Sequence, residues 1–230
     1  MTHTEIEKLR GGLVVSCQAA AGSPLDEPNI ISALALTAEL NGAVGVRINS
    51  AEHVAATKSL VSVPIIGIEK VVTDESEVYI TPTFDEAKRL VSSGSGIIAI
   101  DATRRPRPRG EKVEDLINRI REELRRPVMA DVATFDEGIL AADCGADIVA
   151  TTLCGYTRES QGAELPALKL LESLAGRLNI PVICEGGISS PEQARQAFDH
   201  GAYAVVVGTA ITGVGFLVRQ FAEACGSNQN

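Results

Sequence analysis

One pattern repeats eight times along the 230 residues: a short apolar or β-branched run, a polar or glycine-bearing break, and then an amphipathic stretch. LVVSCQ (13–18) is followed by PNIISALALTAEL (28–40), whose proline suits a first helical turn. AVGVRIN (43–49) leads to SAEHVAATKSLV, with Ser50 placed to cap the helix. VPIIGIEK (63–70) leads to TPTFDEAKRLVSSG, closed by Gly94. IIAIDAT (97–103) precedes VEDLINRIREEL (113–124), and PVMADVAT (127–134) precedes FDEGILAADCG. DIVATTLCGY (147–156) precedes LPALKLLESLAGRL, and PVICEGGI (181–188) precedes SSPEQARQAFDHG. Last, AVVVGTAIT (204–212) precedes GFLVRQFAEACG.

Strand ends recur at intervals of roughly 27 residues, close to one βαβ step. Strands alternating with helices imply a parallel sheet covered by helices. Runs that are apolar throughout, instead of alternating, imply burial on both faces. Eight such units in a chain of this length predict an α/β fold, a single (β/α)8 TIM barrel, with residues 1–230 as one domain. A doubly wound open sheet is the other arrangement of these units, but no G-x-G-x-x-G follows the first strand.

Composition narrows the partners. The net charge of −9 argues against nucleic acid and against an anionic membrane surface. RRPRPR (104–109) is the one dense basic run; its alternating prolines and the acidic residues after it predict an extended, solvated loop. No apolar run reaches the ~18 residues of a membrane span, and MTHTEIEKLRGG at the start is polar. The five cysteines (17, 144, 154, 184, 225) form no C-x-x-C pair, and Cys17, Cys154 and Cys184 fall in or near apolar strands, so a reduced, cytoplasmic chain is expected. His3, His53 and His200 lie at the terminus and in expected helices; no cluster has zinc spacing, and no metal is expected.

VPIIGIEK opens as a buried strand and ends on two full charges. In a barrel of this kind the C-terminal strand ends form the active face. The residues expected there are Gln18, Arg47 with Asn49, Lys70, Asp101 with Thr103, Asp131, Thr151 with Thr152, Glu185, and Gly208 with Thr209. Almost every strand thus ends in a hydrogen-bonding or charged group, and together they describe one polar pocket. Glu69 alternates away from Lys70 and is expected to face the helix layer or solvent. The loops after strands 7 and 8, CEGGISS and VVGTAIT, fall where these barrels often bind phosphate. Gly186, Gly187 and Gly208 there leave backbone N–H groups free to approach an anion. A phosphorylated small molecule is the expected ligand.

CQA, GVRINS, PIIGIEK, VYITPTFDEA, IDATRRPRP, MADVAT, DIVATTLCGYT, CEGGI and GTAIT, in this order and spacing, resemble the N-acylglucosamine-6-phosphate 2-epimerases (N-acetylmannosamine-6-phosphate epimerases) of bacterial sialic-acid catabolism. The likeness runs from about Gly12 to Thr212. It implies interconversion of N-acetylmannosamine 6-phosphate and N-acetylglucosamine 6-phosphate, with Lys70 and Glu185 catalytic and Gln18, Arg47 and Asp131 contacting substrate. One position departs: the family usually has a basic residue directly after TAIT, and Gly213 stands there. The phosphate is then one charge short, or is served from elsewhere, with Arg47 a candidate.

The chemistry fits these residue types. Inverting C2 of an N-acetylhexosamine requires ring opening, removal of the proton beside the C1 aldehyde, and reprotonation on the other face. No redox cofactor is needed, and no metal if an acid protonates the carbonyl oxygen. A lysine at its ordinary pKa of ~10.4 is a cation and no base. Burial lowers that value and a nearby carboxylate raises it, a tension that resolves if Lys70 and Glu185 share one proton as amine and acid. Arg47 has a second reading as a structural partner of an aspartate such as Asp131, and Asp101 reads as a loop-fixing group. Two other functions remain open: a Schiff-base aldolase or lyase using Lys70, and a barrel that binds a sugar phosphate without turning it over. Phe216, Leu217, Val218 and Phe221 give the last helix more apolar surface than one barrel flank covers, so a homodimer is expected beside ordinary packing of an eighth helix.

Overall fold

The computed structural model describes residues 4–226; His3 lies outside them. The strands are β1 (Leu13–Cys17), β2 (Gly45–Asn49), β3 (Ile65–Ile68), β4 (Ile97–Asp101), β5 (Val128–Asp131), β6 (Ile148–Ala150), β7 (Val182–Glu185) and β8 (Ala204–Val207). They pair in sequence order, all parallel, and β8 pairs with β1 to close the barrel. The α-helices among the described residues are α1 (Thr4–Glu7), α2 (Pro28–Leu40), α3 (Ala51–Lys58), α4 (Phe84–Ser92), α5 (Val113–Glu122), α6 (Phe135–Asp143), α7 (Leu168–Arg177), α8 (Pro191–Asp199), α9 (Thr209–Thr212) and α10 (Val214–Ala224). The expected (β/α)8 barrel is present.

The two-residue period of a strand sorts side chains into two apolar clusters. Val15, Val46, Ile48, Ile98, Ala130 and Cys184 join the layer between strands and helices. Val14, Ile66, Ile68, Ile97, Ala99, Met129, Ile148, Ile183, Ala204 and Val206 fill the barrel interior. Extending the inward parity to the C-terminal ends brings in Ser16, Arg47, Lys70, Asp101, Asp131, Thr152, Glu185 and Gly208. The same alternation turns Glu69 outward, where it pairs with Arg89 of α4 at 2.9 Å.

Several helices begin as their sequences predict. Ser50 accepts the His53 N–H, Ser190 accepts the Gln193 N–H, and Thr83 and Thr134 form capping boxes with Glu86 and Glu137.

Three stretches differ from the sequence reading. The polar start contributes Ile6 and Leu9 to the barrel interior, where both are buried beside Val14 and Ile66 and close its N-terminal end. The RRPRPR loop is only partly solvated. Arg105 pairs with buried Asp101 at 2.7 Å, and buried Arg107 donates to the Pro82 carbonyl, because these guanidiniums find acceptors that water would otherwise supply. Finally, α10 does not take the place of an eighth flanking helix: it buries no side chain, and its main neighbour is α9.

Leu9 tests the plug. Leu9→Ala removes a fully buried side chain, and the expected loss is about 2–5 kcal/mol, read as a lower urea midpoint with an unchanged slope. An unaltered midpoint would mean that the segment before β1 does not seal the barrel.

Candidate active site

A cavity of about 300 Å³ opens at the C-terminal ends of the strands, at the lower end of the ~300–1,000 Å³ usual for small-ligand sites. Of the expected site residues, Gln18, Arg47, Lys70, Thr152, Glu185, Gly186, Gly187, Gly208 and Thr209 line it. Asp131 does not. It is fully buried and holds Arg47 from behind the cavity wall.

Arg47 is the centre of the site. Its Nη2 donates to Asp131 Oδ2 at 2.6 Å, and its Nη1 donates to Asp131 Oδ1 at 3.1 Å and to Glu185 Oε2 at 2.7 Å. Only 1% of its side chain is exposed. Burial opposes its charge, but Asp131 and Glu185 together more than offset this, and its pKa is raised. The structural reading of Arg47 as partner of Asp131 therefore holds, and its charge is committed to two carboxylates instead of standing free for a phosphate.

Backbone contacts fix the other two ionisable groups. Glu185 ends β7, and the Thr151 hydroxyl both accepts its N–H at 3.1 Å and donates to its carbonyl at 2.9 Å. Lys70 follows β3; the Asn49 side chain accepts its N–H at 2.9 Å, and a bridge to Ile80 folds the loop back beside it. No ion pair joins Lys70 to Glu185: the carboxylate is held by Arg47 and Thr152 instead. The two face one cavity without touching.

Their proton affinities move in opposite directions. Burial pushes the Glu185 carboxyl up to about 7, although Arg47 pulls it down. The Lys70 side chain reaches solvent at the mouth, yet the crowded rim removes enough water from its ammonium to lower its pKa. Arg47 adds to that lowering, against the pull of Glu185 and Asp131. The thiols are pushed the other way by burial, Cys17 to about 12 and Cys184 to about 11, so neither supplies a thiolate here.

The glycine loops have the backbone form that the sequence suggested. Gly186 and Gly187 adopt φ of 104° and 72°, and a Cβ on Gly187 would come within 2.4 Å of Leu165. Gly213 also lines the cavity, and there a Cβ would meet the Thr209 carbonyl at 2.5 Å. The tight turn between α9 and α10 thus has no room for a side chain at that position. Ser16, Tyr79, Leu153, Tyr156, Ile188 and Thr212 line the cavity without having been singled out. Inward parity on β1 was enough to find Ser16, whereas Tyr79 and Tyr156 sit on loops that carry no period. No group of three or more metal-ligating side chains occurs among the described residues.

Two variants test this electrostatic centre. Arg47→Met leaves Asp131 buried without its cation, a loss of about 3–5 kcal/mol measurable by urea unfolding. Full retention of stability would show that the carboxylates find other partners. Glu185 makes stability pH-dependent in a stated direction. Its folded pKa of about 7 lies above the 4.5 of the free group, so its contribution is complete below 4.5 and is lost as pH rises through 7. Glu185→Gln should therefore gain in Tm relative to the parent across that window. A difference flat with pH would contradict the raised value.

Comparison with known proteins gives the family. A family model described as "Putative N-acetylmannosamine-6-phosphate epimerase" matches residues 31–227. A curated relative from Synechococcus elongatus, named "Putative N-acetylmannosamine-6-phosphate 2-epimerase", is 50% identical over 96% of each chain. One of the same name from Caldanaerobacter subterraneus is 45% identical over 94% of this chain and 92% of its own. The solved N-acetylmannosamine-6-phosphate 2-epimerase of Clostridium perfringens superposes with a TM-score of 0.92 at 41% identity, covering 97% of each chain. A thiamine phosphate pyrophosphorylase from Pyrococcus furiosus, at 16% identity and a TM-score of 0.62, shares the fold alone. The chain belongs to the N-acetylmannosamine-6-phosphate 2-epimerase family of enzymes.

Proposed function

We propose that the protein interconverts N-acetylmannosamine 6-phosphate and N-acetylglucosamine 6-phosphate, with Lys70 as the base at C2 and Glu185 as the acid at the C1 oxygen. The observation that carries this reading is the pair of opposed proton affinities around one cavity, an amine made easier to deprotonate and a carboxyl made easier to protonate. Titratable groups moved from their ordinary values by burial and by specific charges around one cavity mark candidates for acid–base work. The substrate named for the family supports the choice of sugar, and a role in sialic-acid and amino-sugar breakdown is part of this proposal.

In the open-chain sugar, neutral Lys70 takes the C2 proton while protonated Glu185 gives its own to the C1 oxygen. An enol results, and Lys70 is now an ammonium and Glu185 a carboxylate. Lys70 then gives its proton to the opposite face of C2, for which the enol turns in the site, and Glu185 takes back the oxygen proton, which completes the epimerisation and restores both groups. Gly186, Gly187, Gly208 and Thr209 bind the phosphate through backbone N–H groups, and Gln18, Arg47 and Thr152 border the sugar. Asp131 acts by holding Arg47.

The working state of the pair has one proton. With two, Lys70 is no base; with none, Glu185 is no acid. The kcat/KM profile is therefore a bell with one limb near 7. Lys70→Met and Glu185→Gln should each lower kcat by about 10²–10⁴-fold, followed by ¹H NMR with N-acetylmannosamine 6-phosphate, and Glu185→Gln should abolish the limb near 7. Parent-like turnover in Lys70→Met would refute the assignment. A lowered lysine pKa also suits a Schiff-base lyase. Borohydride added with substrate separates the two, since a mass increase on Lys70 belongs only to the lyase.

We also infer a homodimer through α10. Val214, Phe216, Val218 and Phe221 are 44–72% exposed on a helix of 11 residues, none of which is fully buried. A helix this short is marginal in water without tertiary contacts, and a second copy offers the same apolar face in a self-complementary pairing. Sedimentation should give a dimer for the parent and a monomer for Val218→Glu combined with Phe221→Glu; a monomeric parent would dismiss this. Five free thiols, three of them buried, support a reducing compartment such as the cytoplasm.

A further inference from the structure

Thr152 stands between the two carboxylates of the site. Its Oγ1 is 2.7 Å from Asp131 Oδ1 and 3.1 Å from Glu185 Oε2. A threonine hydroxyl has one proton, so it can donate to only one of these oxygens at a time. Oε2 of Glu185 is engaged by Arg47 and approached by Thr152, whereas Oε1 makes no hydrogen bond among the described residues. Oε1 is therefore the oxygen available to a substrate, and Oε2 is the one through which the protein responds to the charge of the carboxyl.

We infer that Thr152 is a positioning residue that donates to Asp131 while Glu185 holds its proton and turns to Glu185 Oε2 once that proton has left. This rests on Glu185 being the acid of the proposed reaction. While Glu185 is neutral, the ionised Asp131 is the stronger acceptor, and the shorter of the two distances lies on that side. When Glu185 becomes a carboxylate, rotation about one C–O bond brings a second donor to Oε2 beside Arg47. Asp131 keeps both of its Arg47 contacts throughout. The hydroxyl thus stabilises the anion formed in the step more than the acid that precedes it, and such a difference raises kcat without tightening substrate binding. No proton passes through Thr152. It exchanges one acceptor for another and keeps its own.

The test uses Thr152→Val, which keeps the shape and removes the donor, and Thr152→Ser, which restores the donor without the methyl group. Carbon-13 NMR of the Glu185 carboxyl, in protein labelled at glutamate, reads its titration directly and without turnover. In Thr152→Val the Glu185 titration should move up by about one pH unit, with kcat about tenfold lower and KM little changed, the size expected for losing one hydrogen bond to a charged group. Thr152→Ser should return both toward the parent. An unmoved Glu185 titration in Thr152→Val, or a Thr152→Ser that behaves like Thr152→Val, would overturn the switch. If Glu185→Gln keeps parent turnover while the NMR shift in Thr152→Val is as described, the fault lies with the role of Glu185 in catalysis, and the coupling of Thr152 to it stands as a structural fact without a catalytic use.

Discussion

One buried guanidinium holds this site together. Arg47 sits within the barrel wall with a bidentate contact to Asp131 and a single one to Glu185. Two carboxylates around one cation leave a negative charge in a place with little water, and burying an uncompensated charge is expensive. The cluster has two ways to balance. Glu185 can take a proton, or Lys70 at the mouth can carry a positive charge. Both leave the four groups neutral as a set, and they differ only in where one proton sits. Burial is the first cause of both departures from ordinary values; the surplus negative charge adds to the rise of Glu185 through Asp131, whereas it opposes the lowering of Lys70, which Arg47 assists.

The barrel makes the arrangement possible because it brings distant parts of the chain to one rim. Arg47, Asp131 and Glu185 come from β2, β5 and β7, each at the last inward-facing position or near it. The interior below them is packed with Ile, Val, Met and Ala and sealed by Ile6 and Leu9, so the charged layer rests on a dry floor. Threonines do the fine positioning. Thr151 holds the Glu185 backbone and Thr152 its carboxyl, while Asn49 holds the Lys70 backbone. Small polar side chains suit this work because each supplies one or two directed hydrogen bonds without adding charge.

Much of this was legible in the sequence, and for identifiable reasons. The eight units follow from a hydrophobic pattern that needs no tertiary knowledge, and strand parity separated Lys70 from Glu69 correctly. The convergence of Lys70, Arg47 and Glu185 on one mouth follows from the closed topology. What was not legible depends on distances across the barrel. A direct Lys70–Glu185 pair was expected, and the structure places Arg47 on the carboxylate instead, because position along a strand does not say which of several neighbouring charges meet. Asp131 looked like a cavity residue for the same reason. Arg105 and Arg107 read as solvated because a basic run gives no sign of the buried acceptors Asp101 and the Pro82 carbonyl. The apolar face of α10 left two readings open, a flank helix and a contact between copies, because amphipathicity alone cannot tell a face that packs on its own barrel from one left uncovered.

In the proposed reaction Lys70 and Glu185 answer to one proton although no ion pair joins them. An NMR titration of the Lys70 side chain, in the parent and in Glu185→Gln, tests it most directly. The Lys70 pKa should lie below the usual ~10.4 in the parent, and lower still in Glu185→Gln, where the carboxylate that favours the ammonium is gone. A Lys70 that titrates at its ordinary value and is indifferent to Glu185→Gln would contradict it.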